Sequence, residues 1–144
     1  MALMRQLCAG ILLVTLTVVV QSAGMAALIL WARTHLLNSV HRFGVVRAAV
    51  LVVRFTGLIL CLHMVEILIW ACLYRWQCFS AWEPAFYFSL TSYSTVGYGD
   101  LVLPQGWREL GPVESLVGIL MCGISVSLIF AIVARLVARD ERGE

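Results

Sequence analysis

Residues 95–100 read Thr-Val-Gly-Tyr-Gly-Asp, and this stretch could bind a cation through its backbone. Its two glycines, Gly97 and Gly99, stand at alternate positions, and glycine reaches positive φ without the steric cost of a Cβ atom. Successive carbonyl groups can then point toward one axis. Rings of carbonyl oxygens can replace the water shell of a dehydrated cation. We expect these ligands to come from Thr95, Val96, Gly97, Tyr98 and Gly99.

The side chains of this stretch have separate expected tasks. Thr95 adds a hydroxyl group at the inner end, whereas Val96 and Tyr98 point away from the cation path and pack into the protein. Asp100 attracts cations at the outer mouth and hydrogen-bonds to the aromatic residues around Tyr98 and Trp82. We expect these contacts to hold the diameter of the path.

The composition indicates that lipid surrounds the chain. Of its 144 residues, 62% are hydrophobic and 12% are charged, a balance that a small soluble domain cannot bury. Three apolar runs, 7–31, 48–74 and 111–138, are each long enough to cross a hydrocarbon core of about 30 Å. We predict an all-α membrane protein. No cluster of His, Cys and carboxylates has metal or catalytic spacing, so we expect no enzyme.

The first apolar run predicts an additional N-terminal span over residues 1–32. The alternative is a secretory signal peptide, with Arg5 as its charged start and Ser22-Ala23-Gly24 as a weak cleavage site. The run continues past that site to Trp31, which favours a retained span.

Residues 33–53 form a predicted basic linker, cytoplasmic or at the membrane interface. Apolar residues recur in it at helical spacing and indicate an amphipathic helix on anionic lipid; they are Leu36, Leu37, Val40 and Phe43. An ordinary polar turn explains the segment equally well. His35 and His41 are candidate sensors of internal pH.

The arginines predict the topology. Arg135, Arg139 and Arg142 follow the third run, so the positive-inside rule puts the C-terminus and a short tail, 139–144, in the cytoplasm. Three crossings then put the N-terminus and the cation-binding stretch outside. We therefore expect a multi-pass protein of the plasma membrane, which in a bacterium is the inner membrane. The basic stretches indicate topology, and we expect no nucleic-acid partner.

Residues 81–94 predict a half-length pore helix. The segment is apolar and aromatic but too short to cross the bilayer, so it must enter and return. Two starts are possible: a capping box of Ser80 and Glu83, or Glu83 as the cap with Pro84 in the first turn. Its C-terminal end would direct partial negative charge toward a central cation.

With these features the sequence resembles the potassium channel pore-domain family, in the two-span prokaryotic form with an extra N-terminal span. The resemblance covers about residues 48–138 and is closest over 85–101, where Tyr87-Phe88-Ser89 and Ser94-Thr95 stand at the spacing of the family's pore helices, followed by the filter 95–100. It implies a potassium-selective homotetramer of pore domains, 54–138, each with outer helix, pore helix, filter and inner helix. The implied ligands are permeant K⁺ ions at Thr95, Val96, Gly97 and Tyr98, with no other cofactor.

The resemblance also implies roles in the inner helix, 111–138. Gly123 is the candidate gating hinge and Gly118 the second candidate, with close helix packing as the alternative for Gly123. The residues that would face the cavity are Ile124, Ser127 and Ala131.

Two positions behind the filter depart from the family's pattern. Ser94 stands where a threonine is common, and Thr91 where some members have an acid. Glu66 of the second apolar run lies three residues from His63 on one helix face, within the membrane. It forms either a structural hydrogen bond, to His63 or to the back of the pore helix, or a functional site that compensates for Thr91.

Two other functions are consistent with these residues. The first is a monovalent cation channel without potassium selectivity, and the second is a non-conducting subunit that modulates another channel.

Overall fold

The structure, a computed structural model, describes residues 2–37 and 45–141. These residues form four helices: α1 (Ala2–Leu37), α2 (Val45–Gln77), α3 (Trp82–Tyr93) and α4 (Leu110–Glu141). The order of span, span, short helix and span confirms the predicted all-helical architecture.

Helices α1, α2 and α4 are the three candidate membrane spans. They contain 36, 33 and 32 residues, so each is about 50 Å long and exceeds a hydrocarbon core of about 30 Å. Their mean hydropathy is 2.1, 2.1 and 2.7 in the most apolar part. Each helix continues past its apolar run, because backbone hydrogen bonding does not stop where the side chains become polar.

This continuation makes most of the predicted linker helical. Residues 33–37 belong to α1 and residues 45–53 to α2, and the cytoplasmic or interfacial position of the linker stays a prediction. His41 and the centre of the predicted amphipathic segment, 38–44, lie outside the described residues, as does the side chain of His35. Helix α4 extends to Glu141 and includes the first half of the predicted tail.

Helix α3 is the predicted half-length helix. Its 12 residues span about 18 Å, roughly half of a bilayer. Both predicted caps are wrong, because the N-cap is Ala81, which is extended and makes no side-chain capping bond. Glu83 lies in the first turn instead, where its charge favours the helix dipole.

Two of the three apolar clusters that join the helices lie at opposite ends of the bundle. One cluster joins the second half of α1, the first half of α2 and the last third of α4, through Met25, Leu28, Ala32, Leu51, Phe55, Ile59 and Ile132. The other joins the opposite ends of these helices to α3 and the loop before α4, through Leu13, Trp70, Tyr74, Ala85, Leu103, Trp107 and Leu110. Helix α3 contacts both α2 and α4.

The start of α1 lies beside the loop before α4. The Arg5 guanidinium group lies 4.6 Å from the ring centre of Trp107, and Gln6 Oε1 accepts a hydrogen bond from the backbone N–H of Glu109 at 3.3 Å. The two segments therefore occupy the same end of the bundle, as three successive crossings predict.

Gly118 is a packing position. A Cβ atom at Gly118 would lie 2.1 Å from the carbonyl oxygen of Tyr93, so only glycine lets α4 approach the end of α3 this closely. The contact gives Gly118 a packing role, and its role as the second hinge candidate stays a prediction. A Cβ atom at Gly123 would meet no atom within 4 Å, so close packing does not explain that glycine in the described chain. Helix α4 is continuous through Gly123, and its hinge role stays a prediction.

We predict that Gly118→Ala destabilises the protein and that Gly123→Ala does not. The clash at Gly118 is with backbone, so α3 and α4 must separate at a cost of about 1–3 kcal/mol or more. An alanine at Gly123 has open space and a better helix propensity. The unfolding midpoint of each purified variant in detergent can be measured by heating samples and recording the fraction that remains folded by gel filtration. Equal midpoints for Gly118→Ala and Gly123→Ala would contradict the packing role of Gly118.

Candidate ion-conduction site

The stretch after α3 has an alternating backbone. Positive φ values occur at Thr95 (63°), Gly97 (51°) and Gly99 (78°), while Val96 and Tyr98 between them have none. The prediction of positive φ at both glycines is confirmed. Thr95 was not expected to share it, because a β-branched residue is strained in this region. The strain lies at the first residue of the candidate filter, where a functional constraint can maintain it.

The last turn of α3 holds the beginning of this stretch. The backbone N–H of Thr95 donates to the Ser92 carbonyl at 3.0 Å, and that of Gly97 donates to the Thr91 carbonyl at 3.1 Å. The Ser115 hydroxyl group of α4 also donates to the Ser92 carbonyl, at 2.8 Å. The exposed carbonyls of a helix C-terminus thus fix the strand that leaves it.

The outer end of the stretch is held by Tyr87. Its hydroxyl group donates to Asp100 Oδ2 at 2.9 Å, and this hydrogen bond raises the pKa of Tyr87 above its usual value. The expected aromatic contact of Asp100 therefore exists and is made by Tyr87, while the supporting role of Trp82 stays a prediction. Trp82, at the first position of α3, is 52% exposed and makes no hydrogen bond to Asp100 within the described chain.

The hydroxyl groups of Thr91 and Ser94 do not reach the filter. Thr91 Oγ1 donates to the carbonyls of Tyr87 and Phe88, at 3.0 and 3.1 Å, and Ser94 Oγ donates to that of Leu90 at 2.7 Å. Side chains of this type commonly bond back to their own helix. The predicted support by these side chains is corrected: Thr91 supports the filter through its carbonyl.

Glu66 is buried behind the end of α3. Its Oε2 accepts a hydrogen bond from the Tyr93 hydroxyl group and lies 3.3 Å from His63 Nδ1. Both partners expected for a structural hydrogen bond, His63 and the pore helix, contact Glu66, and its compensating role stays a prediction. Tyr93 is only two residues before Thr95, so Glu66 lies close to the candidate filter.

A second buried carboxylate, Glu114 of α4, was not predicted. Its Oε2 accepts from the Tyr74 hydroxyl group at 2.8 Å, and its Oε1 lies 2.5 Å from Ser89 Oγ in the middle of α3. Ser89 can donate instead to the Ile67 carbonyl of α2, at 2.8 Å. The sequence could have indicated Glu114, because an acid inside an apolar run is a candidate functional site. Glu114 lies in the first turn of the predicted inner helix, where an acidic residue is ordinary and was not singled out.

Several predicted residues face away from the subunit. Val96 and Tyr98 are 52% and 73% exposed, so the expected packing around them does not come from their own chain. The predicted cavity residues of α4 are also exposed: Ile124, Ser127 and Ala131. They lie on a different face of the helix from Met121, Ser125 and Ile132, which are buried. The candidate filter and this side of α4 form open surfaces of the single subunit.

The comparison with known families agrees with this geometry. A family described as "Ion channel" matches residues 58–135, more than half of the chain, from α2 through α3 and the filter into α4. The chain belongs to this ion channel family. It is a multi-pass membrane protein, and α1 lies outside the matched residues. No curated protein and no solved structure shows significant similarity to the chain.

We predict that Glu66→Gln weakens the conducting filter of this channel. Glutamine keeps the shape of the side chain but replaces the carboxyl group that accepts from the Tyr93 hydroxyl group with an amide, and a side-chain hydrogen bond contributes about 0.5–1.5 kcal/mol. Conduction should decline faster and the filter should bind its ion more weakly. Current recordings in lipid bilayers and calorimetric ion binding measure these two effects.

Glu83→Gln is the matched control, because Glu83 is an exposed carboxylate on the same short helix. Unchanged conduction and ion occupancy in Glu66→Gln would show that Glu66 does not stabilise the filter.

Proposed function

We propose that four copies of this chain form a potassium-selective channel that conducts K⁺ passively. The alternation of positive φ at Thr95, Gly97 and Gly99 is the observation that carries the proposal. It occurs in a Thr-Val-Gly-Tyr-Gly strand at the end of a half-length helix, and such loops line potassium filters with carbonyl oxygens.

The tetramer follows from the number of ligands. Each chain has one filter strand, and a closed ring of carbonyl oxygens around K⁺ takes four such strands. The exposed Val96 and Tyr98 would then be covered by neighbouring subunits, which supports the expected packing role. The exposed side of α4 with Ile124, Ser127 and Ala131 would surround the inner cavity, with Gly123 as the bending point.

Conduction would proceed by several partly dehydrated ions in single file. Carbonyls from Thr95 to Tyr98 supply the sites, and repulsion between neighbouring ions lets each one leave. The C-terminal end of α3 adds partial negative charge at the inner side. Asp100 at the other end concentrates cations at the mouth.

The arginines support an orientation with the filter outside and the C-terminus in the cytoplasm. The bundle end opposite the filter has more of them, including Arg33, Arg47, Arg54 and Arg135, and positive residues favour the cytoplasmic side. Anionic lipid is the proposed partner of this end in the inner membrane of a bacterium.

We expect purified protein in liposomes to carry K⁺ far faster than Na⁺. Flux under matched K⁺ and Na⁺ gradients tests this directly. Equal fluxes would indicate a non-selective channel, and no flux of either ion would indicate an accessory subunit; each result overturns the proposal.

We also predict that Tyr98→Asp reduces the preference for K⁺. The change removes the large ring that neighbouring subunits would pack against, so the filter can vary in diameter. Trp76→Asp is a control, since Trp76 is similarly exposed, at 79%, but lies at the end of α2. The reversal potential under mixed ions measures selectivity, and an unchanged value in Tyr98→Asp contradicts the packing role of Tyr98.

A further inference from the structure

A continuous chain of buried polar side chains links α1 to the end of the pore helix. Gln21 Nε2 of α1 donates to Ser125 Oγ of α4 at 2.9 Å, and Ser125 Oγ lies 3.0 Å from His63 Nε2 of α2. His63 Nδ1 lies 2.8 Å from the Tyr93 hydroxyl oxygen, and Tyr93 donates to Glu66. We call these five residues the relay; each is at most 8% exposed.

One arrangement of protons satisfies every donor in the relay. The Ser125 hydroxyl group donates to His63 Nε2, and the proton on Nδ1 is donated to the Tyr93 oxygen. The Tyr93 hydroxyl group then donates to Glu66 Oε2. All donors point in the same direction and end on a carboxylate, so each bond polarises the next.

The relay joins α1 to the filter through few intermediates. Gln21 also donates to the Met121 carbonyl of α4, at 3.1 Å, and Gly24, one turn later, brings α1 against Leu62 of α2. At the other end, Tyr93 belongs to the helical turn whose Thr91 and Ser92 carbonyls hold the N–H groups of the filter. A displacement of α1 therefore reaches the turn that anchors the filter.

A hydrogen bond that only holds two spans together would need two side chains and not a chain of five. Polar side chains in lipid do hold helices together, and Trp70 Nε1, which donates to Thr17 of α1 at 3.0 Å, does so on its own. The relay instead passes through three spans and includes Tyr93, two residues before Thr95. Its geometry therefore suits control of the filter.

We propose that α1 is a positioning helix for the filter and that the relay transmits its position to Tyr93, which keeps the filter in its ion-binding form. The proposal rests on potassium conduction as the proposed function. Gln21, Ser125, His63 and Tyr93 are positioning residues, because none of them touches the ion path. Loss of any link releases the last turn of α3 and lowers the affinity of the filter for K⁺.

The test compares full-length Gln21→Leu and Tyr93→Phe with the unmodified protein. Leucine keeps α1 apolar, and phenylalanine removes only a hydroxyl group. Each should raise the dissociation constant for K⁺, measured by calorimetry in detergent, by about two- to tenfold, the effect of one lost hydrogen bond. Current in K⁺ bilayers should also decline faster.

The double variant distinguishes a relay from two independent bonds. Gln21 and Tyr93 share no hydrogen bond, and separate sites usually have additive effects. The relay predicts that Gln21→Leu with Tyr93→Phe weakens K⁺ binding no more than either change alone. Thr15→Val is the control on α1, because the exposed Thr15 bonds to the Ile11 carbonyl of its own helix, at 2.8 Å, and to no other described residue.

Each outcome bears on the proposal. Unchanged K⁺ binding in Gln21→Leu, fully additive effects, or an equal effect of Thr15→Val would overturn the relay while the unmodified protein still conducts K⁺. Absence of K⁺ binding by the unmodified protein would overturn the proposed function instead. If Gln21→Leu does not assemble, Ser125→Ala breaks the same chain at its middle and must give the same loss.

Discussion

The structure depends on holding a non-helical strand at membrane depth. Backbone of this kind cannot face lipid, because its N–H and C=O groups would lack partners there. The last turn of α3 meets part of this requirement, since its Thr91 and Ser92 carbonyls accept the N–H groups of Gly97 and Thr95. The position of that turn therefore determines the position of the strand, and the other contacts of α3 serve to keep the turn in place.

Two buried carboxylates fix α3 at different heights. Glu114 of α4 contacts Ser89 in the middle of the helix, and Glu66 of α2 accepts from Tyr93 at its end. Carboxylates inside a membrane are costly, and each of these two accepts at least one hydrogen bond that offsets part of the cost. Because one acid comes from each flanking span, the half-length helix is held on both sides. Gly118 adds the close approach of α4 that puts Ser115 within reach of the Ser92 carbonyl.

The sequence was informative wherever a single local rule decides the structure. Apolar runs predicted the three spans, and alternate glycines predicted the positive φ of the strand, which the structure confirms. The partners of individual hydrogen bonds could not be assigned from the sequence. Tyr87 and Trp82 are both aromatic residues near Asp100, and only the three-dimensional position of α3 selects Tyr87 as the partner. The same holds for the hydroxyl groups of Thr91 and Ser94, which turn back to their own helix.

Helix α1 shows the clearest limit of sequence reasoning. Gln21 appears in the sequence as one polar interruption of an apolar run, and Ser125 as a neighbour of a possible hinge. They are 104 residues apart, so no local pattern connects them. Only the packing of α1 against α2 and α4 makes Gln21 the start of a chain of hydrogen bonds that includes Tyr93. Because α1 lies outside the residues that match the family, the contact from Gln21 to Ser125 joins a helix outside the matched region to the helix that follows the candidate filter. A single amide on an otherwise apolar helix is enough to make this connection.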